Sequence, residues 1–263
     1  MIFELHNVIS GLKPYIKVIT SMELTNAGDV SSFRVLPDAC VELFIIYKSD
    51  RIASVKSKSL FAEKGSFVTC RMSSYMDVQM QKGSGCIAVC FHPGKAHYFF
   101  KCPMHELTDH TVGLQYLWKD SCEEMEDNIA ACDSSDERVK IIQQYLLTAL
   151  KKTVNNHSAF EHALWQINYH RGQIPVADLT NESNISQRQL NRQFNSFLGL
   201  SPKEYSRINR FLSAINALKT SSENLTGIAY DSGYYDQSHF IHDCRDFAGL
   251  TPKEIIRTGN IIY

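Results

Sequence analysis

Residues 176–204 read VADLTNESNISQRQLNRQFNSFLGLSPKE, and residues 225–254 read LTGIAYDSGYYDQSHFIHDCRDFAGLTPKE. The two stretches repeat one plan: a short apolar helix, a tight turn, a polar-capped second helix, then Gly-Leu-Ser/Thr-Pro-Lys-Glu. That plan predicts two helix-turn-helix units in tandem, turning around Asn184 and at Gly233. Ser186 and Asp236 are suited to N-caps, because their side-chain oxygens can accept from the free N–H groups of the first turn. Leu190, Phe194, Phe197 and Leu198 recur three or four apart and give the second helix of the first unit a buried stripe. Phe240, Cys244 and Phe247 do the same for that of the second unit. Gly233 falls where such a turn needs positive φ. Ser201-Pro202 and Thr251-Pro252 set a cap before a proline at the first helical position, where the missing N–H costs nothing. A helix over 202–218 joins the units, with Ile208, Phe211, Leu212 and Ile215 as its buried face.

Leu179, Ser186, Gln189-Leu190, Arg192, Phe194, Gly199, Ser201-Pro202, Tyr205, Arg210, Ala229, Gly233-Tyr234, Asp236, Ser238-His239-Phe240, Phe247, Gly249 and Thr251-Pro252 together resemble the DNA-binding domain of AraC/XylS-type bacterial transcription regulators. The resemblance covers about residues 160–257. His242 and Cys244 stand where the family usually carries arginine and phenylalanine, and Thr180 where it carries alanine.

Resemblance and helical spacing together assign base-reading roles. Arg188, Asn191 and Arg192 lie at i, i+3, i+4, opposite Leu190 and Phe194, with Gln187 and Gln189 at the margins. Arginine pairs bidentately with guanine and asparagine with adenine. In the second unit Tyr235, Gln237, Ser238, Ile241 and His242 face the groove; without an arginine at the central position this unit should read less sharply. Ser186, Lys203, Arg207, Arg210, Asp236, His239, Arg245 and Lys253 are the expected phosphate contacts. A linker helix of that length spans roughly 25 Å at 1.5 Å per residue. It could set the reading helices one groove apart, on the order of 34 Å along the duplex.

Charge is neutral ground. Residues 158–263 hold ten basic and ten acidic side chains, whereas nucleic-acid domains are usually basic overall. Distribution matters more: Arg188, Arg192, Lys203, Arg207 and Arg210 cluster along the first reading helix and the start of the linker helix. Weak non-specific affinity, compensated by dimerisation, is the expectation.

The N-terminal part has another texture. Residues 41–47, 66–69 and 85–91 are short strand candidates rich in β-branched and aromatic residues. A short helix is expected at 95–100, a helix over 114–131 and another over 136–152, where Val139, Ile142, Tyr145-Leu146 and Ala149-Leu150 recur at helical spacing. Residues 153–158 read as a polar linker. Leu12-Lys13-Pro14-Tyr15-Ile16, Leu36-Pro37-Asp38-Ala39-Cys40-Val41-Glu42-Leu43, Val89-Cys90-Phe91-His92-Pro93-Gly94-Lys95-Ala96 and Pro103-Met104-His105-Glu106-Leu107-Thr108-Asp109 resemble the N-terminal module of an AraC-type subgroup with a Leu-Pro-Asp-x-Cys motif. Ala39 replaces that subgroup's glycine, which argues against a strictly positive φ there. The resemblance implies a cupin-like β-barrel that senses an effector, with a following helix often serving as the dimer contact.

The expected fold is therefore α+β: a cupin-like β sensor module over 1–110, a helical region over 111–155, and an all-α double helix-turn-helix domain over 156–263. The expected function is a sequence-specific transcription regulator responding to a small-molecule effector. Phe44, Ile46, Met80, Cys90 and His92 are the candidate effector-binding residues. Expected partners are double-stranded DNA, RNA polymerase and a second copy of the chain, in the cytoplasm. Two alternatives remain: a barrel that binds only a protein partner, and a metal-dependent cupin-type enzyme with a DNA-binding appendage. Against an enzyme, no Gly-rich phosphate loop, Ser-His-Asp arrangement or Gly-x-Ser-x-Gly elbow occurs. Cys86, Cys90 and His92 share one strand face, with His97, His105 and His110 nearby, but structural metal sites show tighter ligand spacing. These cysteines read as core, and no metal or cofactor is expected. The eight cysteines include no Cys-x-x-Cys pair and read as reduced thiols. No segment has the apolar length of a membrane span, and the start lacks the layout of a secretory signal.

Overall fold

The computed structural model describes residues 2–24, 31–48, 52–56, 65–70, 73–80, 83–150, 157–183 and 185–262. Its N-terminal half is built on two strands whose sequences are nearly unbroken apolar runs, β4 (Val41–Lys48) and β8 (Gly85–Phe91). They lie side by side, Leu43 opposite Val89 and Ile45 opposite Ile87. Such runs arise where a strand is covered on both faces. Leu43, Ile45, Ile87 and Val89 point into the main core, while Phe44, Cys86 and Ala88 point the other way.

Around this pair the six-stranded sheet runs β1 (Ile2–His6), β2 (Ile16–Glu23), β8, β4, β6 (Phe67–Cys70) and β9 (Thr111–Gly113). A four-stranded sheet runs β10 (Ile261–Ile262), β3 (Ser31–Val35), β7 (Met76–Met80) and β5 (Ile52–Lys56). Met22, Phe44, Cys86 and Ala88 from the first sheet, with Leu24 just past β2, meet Met76, Val78, Phe33 and Val35 from the second, so the sheets face each other across an apolar layer. The barrel expected from sequence is thus an arrangement of two facing, mainly antiparallel sheets. Two other expectations change. β9 pairs with β6, so the sheet extends past residue 110. Ala39 adopts φ +59°, the left-handed region disfavoured for a residue with a Cβ.

The expected helix at 95–100 is a 3₁₀ turn, Ala96–Tyr98, followed by another at Met104–Glu106. The helix expected over 114–131 breaks at Lys119, where φ is +50°, into α1 (Leu114–Trp118) and α2 (Asp120–Ala130). α3 (Ser135–Ala149) starts at a capping box in which Ser134 and Glu137 satisfy each other's backbone N–H. The expected linker lies largely outside the described residues.

The C-terminal half is helical: α4 (Ser158–Tyr169), α5 (Val176–Ser183), α6 (Gln187–Phe197), α7 (Pro202–Thr220), α8 (Leu225–Asp231), α9 (Gln237–Ala248) and α10 (Pro252–Arg257). Ser186, Ser201 and Thr251 each form a capping box with the Gln or Glu three residues on, and Asp236 caps α9. Gly233 has φ +79°, as its turn requires. The first turn's Asn184 lies outside the described residues.

The two halves share one continuous core. Phe91, Phe99 and Phe100 of the first belong with Phe160, Phe194 and Phe211 of the second. The last strand closes the arrangement: β10, at the far end of the chain, pairs in parallel with β3. Arg34 N–H donates to the Asn260 carbonyl at 2.8 Å, and Leu36 N–H to the Ile262 carbonyl at 2.9 Å.

Candidate nucleic-acid interface

α6 is strongly two-sided. Leu190 and Phe194 are completely buried, and Phe160 lies edge-on to Phe194, ring centroids 5.0 Å apart. The opposite face carries Gln187, Arg188, Gln189 and Arg192 exposed, with Asn191 partly covered. Gln189 is engaged in the cap, its carbonyl accepting from Ser186 N–H at 3.1 Å. Arg188 and Arg192 therefore form an exposed cationic pair one turn apart, beside the amide of Asn191.

α9 repeats the plan with different chemistry. Phe240 and Cys244 are buried, and burial pushes the Cys244 thiol up to about 12. Tyr235 is 84% exposed just before the helix. Ser238 and His242 are exposed; Gln237 and Ile241 are partly covered. Gln237 accepts from the Thr226 hydroxyl at 3.1 Å, and His242 lies 3.3 Å from the Asp246 carboxylate.

The residues expected at phosphates separate into three groups. Lys203, His239, Arg245 and Lys253 are exposed, and His239 lies edge-on to Tyr234 at 5.1 Å. Ser186 and Asp236 are spent on capping: the Ser186 hydroxyl accepts from Gln189 N–H, and the Asp236 carboxylate from His239 N–H. Arg207 and Arg210 act inside the domain. Arg207 donates to Asp243 at 2.6 and 2.9 Å and to Asp246 at 2.5 Å, and lies 4.6 Å from the Phe247 ring. Asp243 is buried and also accepts from the Tyr234 hydroxyl at 3.0 Å. Burial, reinforced by the Asp243 charge, pushes the Tyr234 phenol well up. Arg210 caps the other side of Tyr234, its guanidinium 5.1 Å from the ring. These two arginines brace α7 against the second unit. Their i, i+3 spacing on an amphipathic helix does not distinguish a brace from a phosphate clamp.

α7 sets the spacing. Its 19 residues span roughly 28 Å at 1.5 Å per residue.

Both α6 and α9 are held at their C-terminal ends by the β domain. Past α6, Gly199 has φ +87°, and a Cβ there would lie 2.9 Å from the Met104 carbonyl oxygen. The Thr108 hydroxyl donates to the Gly199 carbonyl at 2.9 Å. The Phe197 ring sits 4.7 Å from His97 and 4.3 Å from His157. Past α9, the Arg34 guanidinium donates to the Ala248 carbonyl at 2.8 Å and to both oxygens of Asp77 at 2.6 and 2.8 Å. It stacks 3.8 Å from the Tyr75 ring, which covers Gly249. Lys95 adds a 2.5 Å ion pair to Glu161 of α4. The partners stand far apart in the chain, so no local pattern could have announced them.

Of the candidate effector residues, Phe44 and Ile46 lie in the apolar layer between the sheets, Phe44 stacked on Phe67 at 5.1 Å. Cys90 is buried beside Cys40. His92 is partly exposed, and burial lowers its basicity. The backbone of Met80 pairs with Ser31 and Ile52; its side chain lies outside the described residues. Glu42, opposite Cys90 in the ladder, is pushed up to about 7 by burial, with the Asp38 charge second. A separate open cleft of about 1020 Å³ lies beside α1–α3, lined by Phe99, Lys101, Trp118, Glu124, Tyr145 and Leu150 among others. No helix among the described residues is long and apolar enough to cross a membrane.

Residues 179–258 match a helix-turn-helix domain family. The C-terminal half therefore carries a helix-turn-helix domain. Residues 9–113 match DUF6597, a domain family of unknown function. The transcriptional activator RhaS of Escherichia fergusonii is 28% identical over 123 residues, 44% of this chain and 44% of that protein. RhaS of Escherichia coli O157:H7 is 24% identical over 159 residues, 58% of this chain and 57% of its own length. The chain thus spans about half the length of the curated relatives it matches. ToxT of Vibrio cholerae superposes over 97% of this chain and 98% of its own with a TM-score of 0.47 at 14% identity. RhaS is a transcriptional activator by name.

Proposed function

We propose that this protein is a sequence-specific transcription regulator that reads two neighbouring major-groove segments of duplex DNA and is controlled by its β domain. The observation that carries the reading is the shared construction of the two units. Each presents a capped reading helix with an exposed polar face, each is braced by α7, and each is docked on the β domain at its C-terminal end.

In this reading α6 is the sharper reader. Arg188 and Arg192 pair with guanines and Asn191 with adenine, with Gln187 and Gln189 at the edge. Tyr235, Gln237, Ser238, Ile241 and His242 read the second segment through weaker contacts. Lys203, His239, Arg245 and Lys253 hold phosphates, which position the protein without specifying sequence.

A small-molecule effector is the controlling input. A ligand shifts such an equilibrium only by binding one arrangement better than the other, and both reading helices touch the β domain directly. The cleft beside α1–α3 has room for a small molecule, at the top of the usual pocket range of about 300–1,000 Å³. Tyr116 on α1 and Leu147 on α3 are exposed, which favours this helical region as the contact with a second copy. The naming of the relatives as activators favours a contact with RNA polymerase.

Footprinting of the full chain on its selected site tests the DNA reading. Protection of two groove segments about one helical turn apart, on the order of 10 base pairs centre to centre, is expected. Protection of a single short segment defeats the bipartite model. Comparing transcription driven by the full chain with that driven by residues 156–263, with and without cell extract, tests the control. Identical output in all four arms eliminates the sensing role.

A further inference from the structure

From the side chains of Asp38, Cys40 and Cys90 we infer a binding site for a borderline-soft divalent metal ion, Zn²⁺ in class, at the edge of the β domain that faces α7. The two sulfurs and one carboxylate oxygen all lie within 4.8 Å of one another. Tetrahedral zinc with Zn–S near 2.3 Å needs ligand sulfurs roughly 3.8 Å apart, so small side-chain movements close the site. Cys40 and Cys90 are 3% and 7% exposed. The ligands come from two places, the bend before β4 and the end of β8.

The local backbone sets the ligands. Ala39 in the left-handed region turns the chain between Asp38 and Cys40, and Cys40 N–H donates to Asp38 Oδ1 at 3.0 Å. The second carboxylate oxygen faces Lys17, Nζ at 3.4 Å, and that same ammonium lies 3.9 Å from Cys40 Sγ. Lys17 is 44% exposed along its side chain, so its head can shift off Cys40 Sγ as an ion enters while staying beside the Asp38 carboxylate.

Charge selects the ion. Two thiolates and a carboxylate carry three negative charges. A divalent ion and the Lys17 ammonium carry three positive ones, matching the charge of the three ligands, with both thiol protons released to solvent. A monovalent ion would leave a net negative charge in a largely covered site. Thiolate donors disfavour the hard ions Mg²⁺ and Ca²⁺. Three protein ligands leave a fourth position for water.

The site sits where occupancy would be felt. Asp38 is two residues beyond Leu36, whose N–H holds the C-terminal strand, and Tyr205 of α7 lies within electrostatic reach of both Cys40 and Asp38. The metal site itself does not depend on the chain being a regulator.

The test is titration of the reduced, metal-free full chain with Co²⁺ as the spectroscopic probe, then displacement by Zn²⁺. One equivalent of Co²⁺ should bind with thiolate-to-cobalt charge transfer in the near ultraviolet and the visible bands of tetrahedral cobalt. Cys40→Ser and Cys90→Ser should each lose the charge-transfer intensity. Cys86→Ser, a buried thiol outside the cluster, should keep it. Lys17→Ala should weaken Zn²⁺ by about 10–100-fold in chelator competition, as loss of an outer partner does. Circular dichroism establishes that each variant is folded; Asp38→Asn, which keeps the shape, covers a cysteine variant that is not. Charge transfer that survives in a folded Cys40→Ser, or absence of thiolate bands in the native chain, overturns the proposal. So does a Cys40–Cys90 disulfide forming in air with no metal uptake by the reduced protein.

Discussion

Arg34→Ala should loosen the two halves of the molecule without unfolding either. The guanidinium makes three kinds of contact: a two-pronged ion pair with Asp77 inside the β domain, a hydrogen bond to the Ala248 carbonyl across the boundary, and stacking on Tyr75. The crossing bond is charge-assisted, and such bonds contribute about 1.5–3 kcal/mol. The stacked contact orients Tyr75 over Gly249 and adds about 0.5–1 kcal/mol at a partly exposed site. Losing the crossing terms should therefore cost about 2 kcal/mol of docking, a change of roughly 30-fold in the ratio of undocked to docked molecules. The readout is amide hydrogen exchange at Arg34/Ala34 and Leu36, whose N–H groups bond Asn260 and Ile262 only while the halves are docked. Both amides should exchange faster by about that factor, while amides in β8 and α7 keep their protection. Arg34→Lys should behave almost like alanine, because an ammonium cannot reproduce the planar fork. If exchange at these two amides is unchanged in a folded Arg34→Ala protein, docking does not depend on this contact and the reasoning fails.

Arg192→Ala should cost about 1–3 kcal/mol of DNA binding and relax preference at one base position in a binding-site selection; uniform weakening across sequences would make it a phosphate clamp instead. Arg207→Ala should lower the urea midpoint by the equivalent of about 2–4 kcal/mol, because it strands buried Asp243, with the figure reduced for the arginine's partial exposure. The salt slope of DNA binding should stay the same, and a slope smaller by about one with unchanged stability would return Arg207 to the phosphates. Gly199→Val should weaken docking, since its Cβ meets the Met104 backbone at a positive φ; a wild-type thermal midpoint in the folded variant would contradict this. Glu23 is held below the ordinary carboxylate value of 4.5 by the Lys48 hydrogen bond first. Its contribution to stability is complete above pH 4.5 and is lost as the pH falls through the lowered value. Glu23→Gln should therefore flatten the acid limb of a stability profile.

The C-terminal half was legible because its signals are local. Capping boxes lie three residues apart, buried stripes three or four apart, and a proline after a cap reports a helix start without reference to the rest of the chain. In the β domain only β4, β6 and β8 were legible, because they are apolar runs. β2 and β7 mix buried and polar positions, and β1 exposes Ile2, Phe3 and Leu5, so none carries a clean alternation. Ala39 shows the limit of residue-type reasoning. Its Cβ argues against φ +59°, yet the fixed neighbours Leu36 and Val41 and the Asp38–Cys40 hydrogen bond impose it. Arg207 shows the opposite limit, since an arginine on a helix flank reads as a DNA contact until Asp243 is found beneath it.

The placement of the docking contacts constrains how control could work. A β domain that covered the reading faces would block DNA by occlusion, and its removal would suffice for binding. Here it touches the far ends: the Gly199 carbonyl after α6, and the Ala248 carbonyl with Gly249 after α9. The exposed faces of Arg188, Arg192, Tyr235 and His242 remain available while docked. On the proposed function, control through these contacts acts on the relative orientation of α6 and α9. α7 fixes that orientation only in part, since it is a single helix with a turn at each end. The N-terminal sheets, holding one unit through Thr108 and the other through Arg34 and β3–β10, supply a second, parallel connection. A change that moves β3 relative to the Met104–Thr108 segment would alter the spacing of the two readers along the duplex, favouring sites of one spacing over another. Selection experiments with half-sites separated by inserted base pairs read this directly. Release of the latch should broaden the tolerated spacing, and an unchanged spacing optimum would leave α7 as sufficient on its own.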